Sequence, residues 1–426
     1  MRGRSGPLLS LGDMELDPQS SDTSLGGTPA ETEIRRRIAA DGPMTFAEFM
    51  GIALYWPDGG YYTSGAAFGT DGDFYTAPLT HPAFGALVAT QVEEMWRVAG
   101  APERWWVVEP GAGLGQLAAD VMVAAGGAKL ASALRYLAVD RSRPRQPVAG
   151  ASWAQSLALP VRGLRGVVLA NELFDAMPVH RVTVVDGALR ERFVGFDDDG
   201  RFVDVLGAVS VGIAERLDGL GVTLAEGHRA EVCLELDGWM AGVGRAMDSG
   251  YLLLVDYGHD ATAYYDSTRH RGLLRTYYKH TLGMDPYAHV GRQDISVHVE
   301  LTSLRQAAVA AGFVEAGSTT QAEFLRSLGF DAYRADIAAR RDIGTPERVA
   351  NLRALDTLVD TEGMGAFRVL AFAKGIPADG LSGFSGLAPD LTITAPLATA
   401  LHMPLGGAPG DATAMVEIPG WDELLK

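Results

Sequence analysis

An α/β fold built around a parallel sheet is predicted for this chain by three observations. Short apolar runs alternate with helical stretches, a glycine-rich turn follows the first of those runs, and acidic residues stand at the ends of the others. The runs are Trp105 to Val108, Tyr136 to Val139, Val167 to Ala170 and Tyr251 to Val255. Each is too short for a helix and reads as a buried strand. Phe367 to Ala373 reads as a late strand of the same kind.

The flanking segments follow from local signals. Residues 1–30 hold no aromatic residue and are rich in Ser, Gly, Pro and Asp, so they are expected to be disordered. Residues 31–104 read as an N-terminal helical and lid region. Ile34 and Ile38 mark a first helix that ends at Asp41-Gly42, and Thr45 with Glu48 three residues on marks the start of a second. Phe84, Leu87, Val88, Val92, Met95 and Trp96 recur at helical spacing over residues 82–99, and Gly- and Tyr-rich residues 57–78 read as an ordered loop before them. The core is assigned to residues 105–180 and 250–375. Between these, 181–249 reads as an inserted α+β unit, because Val182 to Val185 and Arg192 to Phe196 flank the turn signal Asp186-Gly187. Helices are expected near 301–311 and 331–359. Residues 376–426, with six acidic residues and one Lys, form an irregular tail.

Composition narrows the function. The chain has 426 residues, 47% hydrophobic and 21% charged, enough to bury a large core. A net charge of −17 argues against nucleic acid, which demands a basic face, and is compatible with a basic substrate. Cys233 is the only cysteine, so neither an internal disulfide nor a zinc cluster can form, and no metal is expected. No apolar run reaches membrane-spanning length. Met1 to Ser10 lacks a secretory core, and Asp13, Glu15 and Asp17 speak against a transit peptide, which leads to a cytoplasmic assignment.

The strongest motif is Val107-Val108-Glu109-Pro110-Gly111-Ala112-Gly113-Leu114-Gly115-Gln116-Leu117. Glycines let backbone turn sharply and approach a ligand, and the helix that follows offers free N–H groups. A dinucleotide site requires G-x-G-x-x-G, yet Gln116 stands where that pattern places its third glycine. This disfavours an NAD-dependent dehydrogenase. Glu109, two residues before Gly111, fits S-adenosyl-L-methionine better, since a carboxylate attracts its ammonium or sulfonium. Asp140 ends the next strand, where a carboxylate can accept from both ribose hydroxyls; alone, it serves NAD or a helix cap equally well.

Four blocks give the chain a resemblance to a known family. They are Gly42-Pro43-Met44-Thr45-Phe46-Ala47-Glu48-Phe49-Met50 with Gly59-Gly60-Tyr61-Tyr62; Gly72-Asp73-Phe74-Tyr75-Thr76-Ala77-Pro78 with Phe84-Gly85; the glycine motif with Ala170-Asn171-Glu172-Leu173-Phe174-Asp175-Ala176-Met177-Pro178-Val179-His180; and Asp256-Tyr257-Gly258-His259 with Asp294-Ile295-Ser296-Val297-His298-Val299. In this order, over about residues 33–375, they resemble the MidA-like methyltransferases. The resemblance implies a class I, Rossmann-like methyltransferase core, S-adenosyl-L-methionine as cofactor with S-adenosyl-L-homocysteine as product, and a homodimer. It implies methylation of an arginine side chain, as by the family's mitochondrial member, a complex I assembly factor. It also implies that Asp73, Phe74, Tyr75, Thr76 and Pro78 wall the cofactor. Leu79 departs from the pattern, since many members carry glutamate there, and Ser296 and Glu300 are further variations.

The remaining candidates lie just past strands, at the carboxyl edge where open α/β sheets bind ligands. Asn171 and Glu172 are expected to face the transferred methyl, and Glu172 or Asp175 to grip a basic acceptor, since guanidinium pairs with carboxylates. Asp175 can equally cap a helix. His259 is a candidate general base, or else bonds a loop carbonyl. Together with the glycine loop (Gly111, Gly113, Gly115), Glu109 and Asp140, these residues define the expected site. A small-molecule O- or N-methyltransferase and a non-catalytic cofactor-binding assembly factor are the competing functions.

Overall fold

The computed structural model describes residues 27–64, 76–142, 148–279, 281–386, 395–399 and 402. Helix α1 (Pro29–Asp41) starts where the Thr28 hydroxyl accepts from the Glu31 N–H at 3.0 Å, so residues 29 and 30 are ordered helix, contrary to the expectation for residues 1–30, of which 1–26 lie outside the described residues. Helix α2 (Phe46–Tyr55) opens on the expected capping box. Thr45 Oγ1 accepts from the Glu48 N–H at 3.1 Å, and the Glu48 carboxylate accepts from the Thr45 N–H at 3.0 Å. A short turn α3 (Ala77–Thr80) leads into α4 (Ala83–Val98).

Strands β1 (Trp105–Pro110), β2 (Leu134–Asp140), β3 (Ala151–Gln155) and β4 (Leu164–Asn171) follow, with α5 (Gln116–Ala125) between the first two. An antiparallel sheet is then inserted, made of β5 (His180–Val185), β6 (Ala188–Phe196), β7 (Phe202–Gly207) and β8 (Arg229–Val232), with α6 (Ile213–Gly219) packed on it. The insertion expected over 181–249 is narrower than that as a packing unit. Helix α7 (Glu235–Ala246) buries Leu236, Met240 and Val243 in the same cluster as Val168, Ala170, Leu252 and Leu254 of the central sheet.

The central sheet resumes with β9 (Met247–Asp256). Smaller pieces come next: β10 (Gly258–His259), α8 (Ala261–Tyr264), β11 (Leu274–Tyr278), β12 (Thr281–Gly283), β13 (Asp294–Val297) and β14 (Val299–Glu300). Strands β11 to β13 form a three-stranded sheet whose Leu274, Ile295 and Val297 pack with Phe46, Phe49 and Ile52 of α2. Helix α9 (Leu301–Ala310) and strand β15 (Val314–Thr320) precede three helices, α10 (Gln321–Ser327), α11 (Phe330–Ala339) and α12 (Thr345–Leu358). The single helical stretch expected over 331–359 is broken because Pro346 can start a helix but cannot continue one. Strand β16 (Arg368–Lys374) closes the sheet.

The sheet order is β15-β16-β9-β4-β1-β2-β3. Strands β9, β4, β1, β2 and β3 run parallel, as predicted, but β16 pairs antiparallel with both β9 and β15. The sheet is therefore mixed. The half-polar runs of β3 and β15, Ala-Ser-Trp-Ala-Gln and Val-Glu-Ala-Gly-Ser-Thr-Thr, carry too weak an apolar signal to be found in the sequence. Alternation divides the core. Val107, Val167, Leu169, Leu253 and Val255 join α4, α5, α10, α11 and α12 on one face, while Val108, Val168, Leu252 and Leu254 join α7 and α9 on the other. Each such fully buried side chain contributes about 1.5–3 kcal/mol. The tail is partly tied down: Ser382, at the start of α13 (Ser382–Ser385), bonds Glu94 through its N–H and hydroxyl, and His402 Nε2 lies 3.0 Å from Asp120 Oδ2 on α5.

Candidate active site

Register explains why the candidate residues meet. In the parallel ladders Val108 pairs with Val168 and Asn171 with Val255, so the ends of β1, β4 and β9 reach one edge of the sheet. The turns leaving those ends enclose a cavity of about 740 Å³. Its volume lies in the range of sites that enclose a whole small ligand.

The first wall is the turn after β1. Gly111, Gly113 and Gly115 have φ of 71°, 54° and 76°, in the left-handed region. A Cβ on Gly111 would meet Leu173 Cδ1 at 2.8 Å, so a side chain there would have to displace Leu173 as well as adopt a left-handed φ. Gly115 caps α5 with no side-chain partner, leaving the helix's first N–H groups to this end of the cavity. Asp140 Oδ2 accepts from the Gly113 N–H at 2.9 Å, and Oδ1 accepts from the N–H and hydroxyl of Ser142, each at 2.9 Å. Asp140 thus fixes the glycine loop while lining the cavity. Glu109 is buried at the end of β1 and accepts from the Tyr136 hydroxyl at 2.7 Å. Burial pushes its carboxyl up to about 8, against the opposing effect of that bond.

The second wall is the turn after β4. Glu172 sits at φ 48°, rare for a residue with a side chain, and its N–H donates to the Val255 carbonyl at 2.8 Å. Glu172 Oε1 accepts from Asn171 Nδ2 at 2.9 Å and from the Ala77 N–H at 3.3 Å. Loss of water in the cavity wall, and then the charge of Asp175, push the Glu172 carboxyl up to about 8. Asp175 is buried and accepts from the Tyr257 hydroxyl at 2.7 Å through Oδ2. Its Oδ1 and Asn171 Oδ1 have no hydrogen-bond partner among the described residues. Asp256, which the sequence places on this edge, holds the turn: Oδ2 accepts from the N–H groups of Leu173 and Phe174 at 3.2 and 2.9 Å.

Glu109, Gly111, Gly113, Asp140, Asn171, Glu172 and Asp175 line the cavity, as do Thr76 and Pro78. Gly115 stands at the loop's end as the cap of α5. Asp73 and Tyr75 lie outside the described residues. His259 does not line the cavity. It sits in the β10–β14 ladder, with Nε2 3.2 Å from Nδ1 of His298 and the two rings stacked. Burial and the charges of Arg269 and Arg368 push it down to about 4. A proton carrier must reach the reacting atoms, and His259 does not face them.

Two lining groups were not singled out as site residues in the sequence. Tyr55 at the end of α2 stacks on Tyr62 with ring centroids 5.5 Å apart, and Arg141 lies over the Tyr55 ring. Helix α7 adds Glu235 and Trp239. Only Tyr62 carried a signal, through its Gly-Gly-Tyr-Tyr block; Tyr55 and Trp239 read as ordinary helical aromatics.

Comparison with known proteins places these features. A family model described as "Putative S-adenosyl-L-methionine-dependent methyltransferase" matches residues 87–319. The mitochondrial protein arginine methyltransferase NDUFAF7 homolog of Drosophila melanogaster is 28% identical, over 85% of this chain and 89% of its own length. The mitochondrial protein arginine methyltransferase NDUFAF7 of Rattus norvegicus is 27% identical, over 79% and 82%. A crystal structure from Burkholderia thailandensis, bound to S-adenosyl-homocysteine, is 31% identical with a TM-score of 0.73, and covers 85% of this chain and 96% of that one. The mitochondrial names of these relatives overturn the cytoplasmic assignment. That assignment rested on the lack of a secretory core or spanning run and on a few acidic residues near Met1, and such local signals alone are not an address.

Proposed function

The chain belongs to this family of S-adenosyl-L-methionine-dependent methyltransferases, and from that premise we propose that its acceptor is an arginine side chain of a protein. The cavity suits the cofactor. Adenosylmethionine brings an ammonium and ribose hydroxyls, all donors, and a cationic sulfur. The wall offers acceptors: the Glu109 and Asp140 carboxylates, and the buried Asn171 Oδ1 that has no partner among the described residues. Glu109, the Gly111–Gly115 loop, Asp140 and Asn171 would hold it. When bound, it supplies an electrophilic methyl group.

The observation that carries the arginine reading is the pair of carboxyls, Glu172 and Asp175, on the wall facing that loop. Buried carboxyls pair well with guanidinium, which stays charged and presents a planar fork of donors. Transfer forms an N–C bond to the guanidinium, breaks the C–S bond, and leaves one N–H proton to be removed. A carboxyl whose proton affinity lies near neutrality, such as Glu172, holds the guanidinium as a carboxylate and takes up that proton. Asn171 and Ala77 fix its orientation through Oε1, leaving Oε2 for the acceptor. The names of the curated relatives support the same acceptor class.

A second reading is motivated by Leu79. This buried leucine lines the cavity where the family pattern often has glutamate, so one carboxylate is missing and a small-molecule acceptor is accommodated more easily. Methyl-tritiated cofactor incubated with cell lysate and the protein separates the two. Label in protein that hydrolyses to methylarginine is expected; label confined to the metabolite fraction overturns the arginine reading.

A further inference from the structure

Three arginines line the cavity, Arg141, Arg162 and Arg245, and the guanidinium of Arg141 lies against an aromatic ring. Arg141 follows Asp140 directly, and its guanidinium carbon lies 3.9 Å from the centroid of the Tyr55 ring. Both residues line the cavity that contains Glu172 and Asp175. Arg141 is exposed, and among the described residues its guanidinium is held by the ring and by no carboxylate. A ring face is a weaker anchor than an ion pair, so this is a contact that can be exchanged.

Tyr55 itself is fixed. Its hydroxyl donates to the Ala176 carbonyl at 2.8 Å, next to Asp175, and its ring stacks on Tyr62. The Tyr62 hydroxyl donates to Asp294 Oδ1 at 2.7 Å. An aromatic face tethered at both rings and set beside a buried carboxylate is the arrangement that receives a planar cation: the ring's negative face takes the flat side and the carboxylate takes the N–H edge.

The geometry points to Tyr55 and Asp175 as the two halves of an acceptor guanidinium subsite, with Arg141 as a resident stand-in that the incoming arginine displaces. This rests on the arginine reading of the acceptor. Glu172 keeps its part at the reacting nitrogen, and Tyr55 sets the plane in which the guanidinium lies. Arg141 lowers the apparent affinity for the acceptor, because its guanidinium must leave before another can enter.

The test is binding of N-acetyl-arginine amide to full-length protein saturated with S-adenosyl-homocysteine, followed by calorimetry, with methylarginine formation in lysate protein measured in parallel. Tyr55→Leu is expected to weaken binding of the amide about tenfold. Tyr55→Phe, which keeps the ring, is expected to stay within about threefold of wild type, and Arg141→Ala to tighten binding about threefold or more. Unchanged affinity for S-adenosyl-homocysteine in all three variants shows that the fold and the cofactor wall are intact. If Arg141→Ala weakens cofactor binding and leaves the amide unaffected, Arg141 serves the cofactor and the proposal fails. Equal amide affinity in wild type and Tyr55→Leu, or no amide binding by wild type, also overturns it. If methylarginine still forms in those cases, the arginine reading survives; if none forms, that reading falls as well.

Discussion

The two walls of the cavity are made by different means. The wall after β1 is mainly a backbone structure: three glycines at positive φ, a helix start without a side-chain cap, and two carboxyls, Glu109 at the strand's end and Asp140 bonded to the loop it supports. The wall after β4 is a side-chain structure. Glu172 and Asp175 come from one turn, but Ala77, Tyr55 and the adjacent pair Asp256 and Tyr257 come from three other segments to orient, bond or enclose them. A ligand common to a family can be met by backbone, which any sequence supplies if glycine permits the turn. An acceptor that must be distinguished from others is met by side chains, which can change without unmaking the fold.

The division can be broken most severely at the backbone. Gly113→Val places a β-branched residue at φ 54° in the loop whose N–H donates to Asp140. Affinity for S-adenosyl-homocysteine by calorimetry is expected to fall about a hundredfold or more. Glu172→Gln acts on the other wall alone. The amide oxygen keeps the bonds from Asn171 and Ala77, so cofactor affinity is expected to hold within about threefold while kcat falls about a hundredfold or more. If both quantities fell together, the walls would not be separable.

Glu109 sharpens the contrast through pH. Its carboxyl, raised to about 8 in the free protein, carries a proton at neutrality. A cofactor ammonium beside it favours the carboxylate, so binding releases that proton. Affinity is expected to rise with pH, by up to about tenfold per unit, and to level off above about pH 8. Glu109→Gln should flatten this slope. Wild-type affinity that does not change between pH 6 and 8 would remove Glu109 from the cofactor wall. The smallest effect is expected at His259, which faces neither wall. His259→Asn should leave kcat/KM within about threefold. A larger loss in turnover, with the thermal unfolding temperature unchanged, would return that histidine to the chemistry.

The two walls also differed in how far they could be read. The strands β1, β2, β4 and β9 are continuous apolar runs, buried on both faces, and their ends carry Glu109, Asp140, Asn171 and Asp256 in plain sight. Strands β3 and β15 sit at the sheet's two edges and are partly solvated, so their sequences carry no comparable run. His259 looked catalytic because it follows Asp256 by three residues. The chain turns away into the β10 ladder within that distance, and the imidazole is stacked on His298 instead.

By itself, the sequence determined the central parallel strands, the capping box that starts α2, and the glycine turn with its flanking carboxyls. All of these are local, set by periodicity and by which residues tolerate a given φ and ψ. Tertiary structure decided what stands opposite that turn. Tyr55 from α2, Asp175 after β4, Tyr257 after β9 and Arg141 after β2 have no fixed spacing along the chain, and they meet only because sheet register and helix packing bring those ends to one edge. Contacts between residues far apart in sequence leave no periodic mark, so the glycine turn and the carboxyls of Glu172 and Asp175 were legible, while the aromatic and arginine side chains around them were not.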